Sequence, residues 1–302
     1  MQKRIVLTGS NGLLGQKIVP LLADRMNVNL MATSTGINRH PLREGYVYET
    51  ADLTDFERWT EIFEDFRPTE LIHTAAITNV DHCEDDRSLC DAVNVAAVEN
   101  LVRLCAQYGT RMIHISTDFV FSGESGPYRE TDLTGPVNYY GQSKLQAENR
   151  ILESRIPSTI LRTMLLYGIT PGMSRTNIVL WAKKSLEEGV SIRVVNDQFR
   201  CPTLAEDLAS ATVTAVMKNS RGLYHISGAE MMSMTELVYQ VADFWGLDKS
   251  RVTEVTSDSL NQKAKRPPRT GFIILKAQTE LDYNPHPFRQ GLQLLDQQMK
   301  SL

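Results

Sequence analysis

A tyrosine and a lysine four residues apart, Tyr140 and Lys144, have the types and the spacing for acid–base chemistry. Pro136 breaks the structure before them and a helical pattern follows, so both side chains are predicted to share one helix face, with Tyr139 turned aside. A free phenol has a pKa of about 10 and transfers protons poorly at neutral pH. Because a nearby ammonium favours phenolate, we expect Lys144 to lower the pKa of Tyr140 and to fit the pair for proton transfer at a carbonyl or an alcohol. A chance pairing on an exposed helix face is the alternative.

A hydroxyl at the end of an apolar strand, that of Thr117, is a third candidate. It lies 23 residues before Tyr140, enough chain for one loop to bring the two together. A hydroxyl at this place can hydrogen-bond the same carbonyl oxygen that Tyr140 protonates. Ser116 and Thr117 could equally serve as turn or helix caps, which is common for hydroxyl residues.

Three glycines near the N-terminus, Gly9, Gly12 and Gly15, are typical of a turn that holds a phosphate. They follow the apolar run Ile5–Leu7 and open a helix predicted over Leu13–Arg25. Gly9 permits the tight turn, Gly12 lets a pyrophosphate approach bare backbone, and Gly15 lets the helix pack on the strand. The free N–H groups of the helix N-terminus favour an anion. This context indicates a dinucleotide site, although glycines at this spacing also occur in plain turns.

Strand-like and helix-like stretches alternate through the first half of the chain. The predicted strands are Arg4–Thr8, Val28–Thr33, Tyr46–Glu49, Glu70–Thr74, Arg111–Ser116 and Ser158–Arg162. The predicted helices are Leu13–Arg25, Asp55–Asp65, Ser88–Tyr108 and Tyr140–Ser154. This order implies parallel strands joined by right-handed helical crossovers, in which ligands bind at the carboxyl ends of the strands. Gly9, Ala75, Ala76 and Thr117 follow strand ends, so we expect them to converge on one crevice.

After about Gly168 the alternation loosens. The later predicted elements are the helices Asn177–Glu188, Ser233–Trp245 and Gln290–Met299, the strands Ser191–Val195 and Leu223–Ile226, and an extended surface segment at Leu260–Thr270. We therefore predict an α/β fold, a doubly wound parallel Rossmann sheet with a smaller C-terminal substrate-binding lobe. Residues 1–167 would bind NAD(P), with a later strand contribution near 191–228, and residues 168–302 would form mainly the substrate lobe.

Composition excludes several classes of function. The chain has 302 residues and a net charge of −4, which gives no general attraction to nucleic acid or to an anionic membrane. No apolar run approaches the ~20 residues that cross a bilayer, and the first strand begins at once, so a cytoplasmic protein is expected. Four cysteines without a C-x-x-C pair are expected to be buried or free thiols. The stretch Asp81–Glu84 is expected to be a loop or a helix start and not a metal site.

Longer motifs resemble a known family. They are TGSNGLLG at Thr8–Gly15, HTAAITNVDHCE at His73–Glu84, NVAAVENL at Asn94–Leu101, ISTDFVFSG at Ile115–Gly123, PVNYYGQSK at Pro136–Lys144, LRTMLLYG at Leu161–Gly168 and NDQFRCPTLAEDLA at Asn196–Ala209. The chain resembles the extended short-chain dehydrogenase/reductases and, among them, the dTDP-4-dehydrorhamnose reductases. The resemblance implies NAD(P)H-dependent reduction of the C4 keto group of a nucleotide-linked 4-keto-6-deoxy sugar, with dTDP-4-dehydro-L-rhamnose as the first candidate.

The resemblance also implies residue roles. Thr117, Tyr140 and Lys144 would be catalytic. The cofactor would be bound by Gly9, Ser10, Asn11, Gly12, Leu13, Leu14, Gly15, Asp52, Leu53, Ala75, Ala76, Ile77, Tyr140 and Lys144. The sugar would lie near Val80, Thr117, Asp118 and Leu165. The sequence departs from the family where Leu165 replaces a usual tryptophan, Arg200 a glycine and Phe119 a tyrosine, so the exact sugar is left open.

Two features bear on the ligands. An NAD site usually has an acid about 20 residues past the glycines, and none occurs between Asp24 and Glu44. Since Arg39 and Arg43 lie just downstream, NADPH is favoured and NADH stays open. The basic segment Lys263–Arg269 could grip the diphosphate of a nucleotide sugar through Arg266 and Arg269, or could simply be solvated.

Two other functions remain open at this point. One is a nucleotide-sugar epimerase or dehydratase with tightly bound NAD. The other is a non-catalytic, cofactor-binding regulatory subunit, since a relative of the rhamnose reductases serves methionine adenosyltransferase in that way. The sequence leaves the oligomeric state open, a homodimer included.

Overall fold

A computed structural model describes residues 2–173, 175–260 and 262–301. Its strands are β1 Lys3–Thr8, β2 Val28–Ser34, β3 Val47–Thr50, β4 Glu70–His73, β5 Arg111–Thr117, β6 Ser158–Thr163, β7 Leu166–Tyr167, β8 Ile192–Val195, β9 Phe199–Arg200, β10 Thr203–Leu204, β11 Gly222–His225, β12 Met232–Ser233 and β13 Val252–Val255. Its α-helices are α1 Leu13–Ala23, α2 Phe56–Phe66, α3 Val80–Asp85, α4 Arg87–Asp91, α5 Ala97–Tyr108, α6 Tyr139–Ser154, α7 Ile178–Glu187, α8 Ala205–Met217, α9 Met234–Trp245, α10 Leu275–Leu281 and α11 Phe288–Ser301. Within these residues, no helix combines the length and the apolar composition needed to cross a bilayer.

Seven parallel strands form one sheet in the order β11-β6-β5-β4-β1-β2-β3. The chain starts at β1, builds outward to β3, and then crosses back to β4 on the other side of β1. This reversal creates a crevice between the carboxyl ends of β1 and β4, where ligands of doubly wound sheets bind. The predicted α/β Rossmann fold is confirmed.

Both faces of the sheet are covered, which explains why its strands are continuous apolar runs. In β1, Ile5 and Leu7 join a buried cluster with residues of α1 and α8, including Leu208. Val6 points to the other face and packs in a cluster with residues of α2 and α5, including Trp59. The period of two along the strand therefore places its neighbours on opposite faces.

The second half of the chain contributes to the main sheet and its helices, and also forms a smaller lobe. Strand β11 pairs with β6 at the edge of the main sheet, and α8 packs against α1. The helices α7, α9 and α11 and the paired strands β8 and β13 form a smaller lobe with its own core. The segment predicted as extended, Leu260–Thr270, runs alongside this lobe, and Phe199 donates from its backbone N–H to the Pro268 carbonyl at 2.7 Å. Asn261, within that segment, lies outside the described residues.

One predicted helix differs in the structure. The stretch Ser88–Tyr108 is a composite of α4, a π-helical turn at Ala92–Ala96, and α5. The π turn contains the buried Asn94, whose side chain bonds the backbone of Ile77 in a neighbouring loop. A local periodicity of 3.6 cannot reveal this long-range contact, which is why the interruption was not expected.

Candidate functional site

A cavity of about 940 Å³ opens at the carboxyl ends of β1, β4 and β5. The glycine turn lies at one end, and Thr117, Tyr140 and Lys144 line it further along. The opposite wall comes from the second half of the chain and includes Arg200. A cleft of this size is typical of a site for a small molecule or a cofactor. The crevice expected from the strand ends is therefore present.

The glycine turn presents bare backbone to this cavity. Gly9 has a φ of 70°, and a Cβ there would lie 2.7 Å from the Thr74 Oγ1 atom. A Cβ on Gly15 would collide with the Gly9 carbonyl oxygen and lie 2.6 Å from the Ser10 Cα atom. Helix α1 begins after Gly12 with no side-chain cap among the described residues and no acid in its first turn. Its free N–H groups and dipole therefore suit a pyrophosphate, as the sequence predicts.

Two polar residues of the turn bind protein backbone. The Asn11 Nδ2 atom donates to the Ile37 carbonyl at 2.9 Å, and its Oδ1 accepts from the Arg39 N–H at 2.8 Å. Ser10 is buried, donates to the Thr33 carbonyl at 3.1 Å and does not line the cavity. Asn11 and Ser10 thus fix the turn and the loop after β2 relative to each other.

The loop after β4 lines the cavity through Ala75, Ala76 and Ile77. Asn94 holds this loop on both sides, because its Oδ1 accepts from the Ile77 N–H at 2.9 Å and its Nδ2 donates to the Ile77 carbonyl at 3.0 Å. The same amide also donates to the Ser143 Oγ atom at 3.1 Å. Sequence reasoning assigned no role to Asn94; its place at the start of the motif Asn94–Leu101 was the available signal.

Tyr140 and Thr117 meet inside the cleft. Tyr140 is 9% exposed and its ring packs edge-on against Phe119, with centroids 5.9 Å apart. Burial raises the pKa of Tyr140, and the neighbouring Thr117 hydroxyl acts in the opposite direction. Thr117 donates its hydroxyl hydrogen to the Asp118 Oδ1 atom at 3.1 Å and accepts from the Phe119 N–H. Tyr140 is therefore a protonated phenol at neutral pH.

Lys144 is buried one helical turn from Tyr140. Its Nζ atom donates to the Ile115 carbonyl at 2.8 Å and lies 3.1 Å from the His114 Nε2 atom. Burial lowers the pKa of Lys144 to about 8, with Glu148 opposing the change. The expectation that Lys144 lowers the pKa of Tyr140 is wrong here, because the ammonium is turned to His114 and Ile115 and burial dominates at the phenol.

A neutral histidine supports this lysine. Burial and the nearby Lys144 lower the pKa of His114, so its Nε2 atom can accept the ammonium hydrogen. His114 stacks on His73 with ring centroids 5.3 Å apart, and its Nδ1 atom has no partner among the described residues. Sequence reasoning did not include His114, although it lies within the stretch that ends at Thr117.

Asp118 lines the cleft with its carboxylate already engaged. It accepts from Thr117 and from the Thr270 hydroxyl, and the Arg200 Nε atom lies 3.3 Å from its Oδ2 atom. Burial raises the pKa of Asp118 and Arg200 counteracts that rise. Arg200 also donates to the carbonyls of Pro267 and Pro268 and stacks over Phe119, 5.6 Å from the ring centroid. Two of the three departures from the family, Phe119 and Arg200, are therefore in contact.

Leu165 and Val80 line the same cleft. Leu165 has a φ of 41°, a left-handed conformation that a bulky residue adopts at some cost, and the Thr203 N–H donates to its carbonyl at 3.2 Å. Val80 begins α3, so the stretch Asp81–Glu84 is a helix start, as expected. Within the part of the chain that the structure describes, no three histidine, cysteine or acidic side chains converge as metal ligands would.

The basic segment divides into two parts. Arg266 lines the cavity, but both of its terminal nitrogens donate to the Asp81 carboxylate, at 2.9 and 2.6 Å. Arg269 is exposed, stacks 5.0 Å from the Phe199 ring centroid and does not line the cavity. The structure therefore does not bring these two arginines together at the cleft. An exposed cation that sequence reasoning missed, Arg175, does line it and donates to the Thr78 hydroxyl at 3.3 Å.

Asp52 and Leu53 follow β3 and do not line the cavity. Asp52 accepts from the Thr54 N–H at 2.8 Å, and Leu53 is buried in the core beside Trp59. Near them, β2 ends at Ser34, which does line the cavity. Arg39, one of two cations expected near the adenosine end, is exposed and donates to the Gly172 carbonyl at 3.3 Å.

Comparison with known proteins decides the family. The family model described as the RmlD substrate binding domain matches residues 3–301. The chain belongs to the RmlD substrate binding domain family. A dTDP-4-dehydrorhamnose reductase from Aggregatibacter actinomycetemcomitans is 28% identical over 301 residues, which cover 96% of this chain and 97% of the relative.

This RmlD family member is also similar to a protein that is named as a subunit of another enzyme and not as a reductase. Methionine adenosyltransferase 2 subunit beta from Rattus norvegicus is 30% identical over 295 residues, 96% of this chain and 86% of the relative. Among solved structures, a dTDP-4-dehydrorhamnose reductase from Bacillus anthracis in complex with NADP has a TM-score of 0.84 and 25% identity, covering 99% of this chain and 100% of that chain. The family thus includes reductases and a subunit of another enzyme.

Proposed function

We propose that this protein is an NADPH-dependent reductase of a nucleotide-linked 4-keto-6-deoxy sugar, with dTDP-4-dehydro-L-rhamnose as the first substrate to test. The observation that supports this proposal is the convergence of Thr117, Tyr140 and Lys144 in one cleft with the uncapped N-terminus of α1. The family relationship to dTDP-4-dehydrorhamnose reductases supports the choice of substrate class.

The residues present fit a nicotinamide dinucleotide. Gly9, Gly12 and the first turn of α1 would hold its pyrophosphate, and Ala75–Ile77 would line the path to the ribose. Such a cofactor supplies a hydride when it is bound. The absence of an acid between Asp24 and Glu44 in the sequence favours NADPH, and a relative of known structure binds NADP.

The chain's own residues then handle the proton. Tyr140, kept protonated by burial, donates its hydroxyl proton to the C4 carbonyl oxygen as that oxygen gains negative charge. Thr117 can turn its hydroxyl hydrogen from Asp118 to the resulting phenolate, which stabilises it. Lys144 is predominantly charged at neutral pH, because burial lowers its pKa only to about 8. Its ammonium is directed at His114 and the Ile115 carbonyl and would hold the nicotinamide ribose.

We further propose the division of labour expected from the sequence. Residues 1–167 hold the cofactor, and residues 168–302, with Val80, Thr117 and Asp118, surround the sugar. Leu165 would meet the sugar from the second wall. Arg266 would bind the diphosphate only if its guanidinium left Asp81 or bound Asp81 and the diphosphate at the same time. The cytoplasmic location stays a prediction from the sequence.

The test is a steady-state assay of NADPH oxidation with a panel of nucleotide 4-keto sugars. We expect one NADPH consumed per sugar reduced with dTDP-4-dehydro-L-rhamnose. Conversion of a nucleotide sugar without net NADPH consumption would support the epimerase or dehydratase alternative. Binding of NADPH without turnover of any sugar in the panel would contradict the reductase proposal.

A second candidate function has its own support. The similarity to methionine adenosyltransferase 2 subunit beta covers nearly the whole chain. In addition, Arg200 forms an ion pair with the Asp118 carboxylate at the proposed sugar end of the cleft. A cofactor-binding subunit would need no free sugar-binding carboxylate. Co-purification with a methionine adenosyltransferase catalytic subunit, together with no sugar reduction, would favour this function; reduction without such an association would exclude it.

A further inference from the structure

Two buried cysteines, Cys83 of α3 and Cys90 of α4, have their Sγ atoms 2.9 Å apart. In an unbroken helix, residues seven apart would be separated by about 10 Å along the axis. Here the chain turns at Asp86, which has φ −130° and ψ 78° and caps α4 by accepting from the Leu89 N–H at 2.9 Å. This break between the two short helices is what brings the sulfurs together.

Polar side chains contact the Cys90 sulfur. The Asn94 Nδ2 atom donates to the Cys90 Sγ atom at 3.4 Å, and the Ser143 Oγ atom lies 3.4 Å from the same sulfur. The hydrogen bond between the two thiols lowers the pKa of Cys90. Burial raises the pKa of both other cysteines, Cys105 and Cys201. Because the thiolate is the nucleophile, we assign the attacking role to Cys90 and the resolving role to Cys83, whose sulfur lies 2.9 Å away.

We propose that Cys83 and Cys90 form an oxidation site that closes to a reversible disulfide, buried behind the residues that line the cleft. A disulfide bond is about 2.05 Å long, so the sulfurs at 2.9 Å need to approach by roughly 0.9 Å more. The short helices α3 and α4 and the turn between them can supply a movement of that size. The site is a pair within one chain and needs no second copy.

The oxidant is a hydroperoxide, and the reaction balances in two steps. The Cys90 thiolate attacks one peroxide oxygen, the O–O bond breaks, and the sulfur becomes a sulfenic acid while one hydroxide takes up a proton to leave as water. The Cys83 thiol then attacks the Cys90 sulfur, the S–O bond breaks, and a second water leaves. Overall, two thiols lose two electrons and two protons, and one hydrogen peroxide becomes two waters. A small dithiol reverses the oxidation by thiol–disulfide exchange.

The pair is coupled to the proposed active site through packing. Cys83, Cys90 and Tyr140 form one buried cluster, against which Ile77 and Val80 pack. The Ser143 hydroxyl, beside Cys90, donates to the Tyr140 carbonyl at 2.8 Å. Asn94, which contacts Cys90, also holds the cofactor-lining loop at Ile77. Movement of either sulfur therefore disturbs both the helix that carries Tyr140 and the loop that would line the cofactor.

This coupling rests on the proposed cofactor site and predicts a measurable change in binding. We expect the disulfide to raise the Kd for NADPH about tenfold, which corresponds to about 1.4 kcal/mol. Coupling between two equilibria is reciprocal. Saturating NADPH should therefore oppose disulfide formation by the same tenfold factor, which raises the reduction potential of this two-electron couple by about 30 mV.

The oxidation site is tested by treating the full chain with stoichiometric hydrogen peroxide, blocking free thiols under denaturing conditions and mapping the peptides by mass spectrometry. We expect a Cys83–Cys90 linkage that dithiothreitol removes, with Cys105 and Cys201 alkylated. Cys83→Ala and Cys90→Ala should each abolish the linkage, whereas the matched control Cys105→Ala should retain it. Finding all four cysteines free after oxidation, or Cys90 overoxidised without a linkage, would overturn the proposal.

The coupling is tested by NADPH titration of the reduced and oxidised forms of the same protein. We expect the tenfold difference in the wild type and in Cys105→Ala, and no effect of peroxide on the Kd of Cys90→Ala, which lacks the attacking thiol. Equal affinities for the mapped disulfide form and the reduced form would overturn the coupling. A reduced protein that binds no NADPH would instead contradict the proposed function, while the linkage map would still decide the oxidation site.

Discussion

Replacing Lys144 by methionine should remove a buried charge that costs the folded protein stability at neutral pH. The pKa of this lysine falls from 10.5 to about 8 on folding, mainly because of burial. Between these values the unfolded chain binds more protons, so the wild-type protein gains stability as the pH rises through this window. The penalty is fully present below pH 8 and is relieved toward pH 10.5.

The magnitude follows from the same two values. The difference between 10.5 and about 8, at about 1.4 kcal/mol per pH unit, corresponds to roughly 3 kcal/mol near pH 7. Methionine also leaves the Ile115 carbonyl and the His114 Nε2 atom without their donor, which costs a pH-independent amount. The diagnostic quantity is therefore the change with pH. Relative to the wild type, Lys144→Met should be about 2 kcal/mol less stable at pH 9.5 than at pH 7, because the wild type loses its burial penalty over this range.

Urea unfolding of the wild type and of Lys144→Met at these two pH values measures this change. Lys265→Met is the matched control, since Lys265 is exposed and its ammonium stays in water; its effect should be the same at both pH values. A Lys144→Met effect that is constant from pH 7 to 9.5 would refute the burial argument for this lysine.

Three further predictions concern the turn, the wall and the cofactor. Gly15→Ala should raise the Kd for NADPH at least about tenfold, because its Cβ would press on the backbone of Gly9 and Ser10. In the control Gly135→Ala the nearest contact of the new Cβ is at 3.8 Å, so the Kd should change less than about twofold. Equal effects of the two variants in an NADPH titration would contradict this. Arg200→Met should lower the free energy of unfolding by about 3–5 kcal/mol, because it leaves the Asp118 charge buried without its partner, as urea unfolding would show; a loss below about 1 kcal/mol would be inconsistent with a buried pair. The KM for NADPH should be lower than that for NADH, and equal or reversed values in steady-state kinetics would remove the preference.

The fold could be predicted because its determinants are local. The alternation of apolar runs and helical stretches fixes a parallel sheet, and Gly9, Gly12 and Gly15 mark the turn where β1 meets α1. Local pattern also predicts the shared helix of Tyr140 and Lys144. In each case the physical requirement, burial on both faces or a turn without a Cβ, is visible in consecutive residues.

The rest of the site depends on contacts between distant residues. Arg200 binds Asp118 across 82 positions of the sequence, and Asn94 binds Ile77 from a π turn. The electrostatics of Lys144 depend on His114 and on burial, which spacing along one helix cannot show. Motif resemblance named Asp118 as a sugar neighbour but could not reveal that its carboxylate is occupied.

The most direct test of the central claim is to replace Tyr140 by phenylalanine and to measure sugar reduction and NADPH binding on the same preparation. If the Tyr140 hydroxyl is the proton donor, kcat with dTDP-4-dehydro-L-rhamnose should fall by about 10²- to 10⁴-fold, while the Kd for NADPH changes by less than about threefold, since the phenyl ring still fills the same position against Phe119. An unchanged kcat in a variant that binds NADPH normally would contradict the assignment of Tyr140 as the general acid.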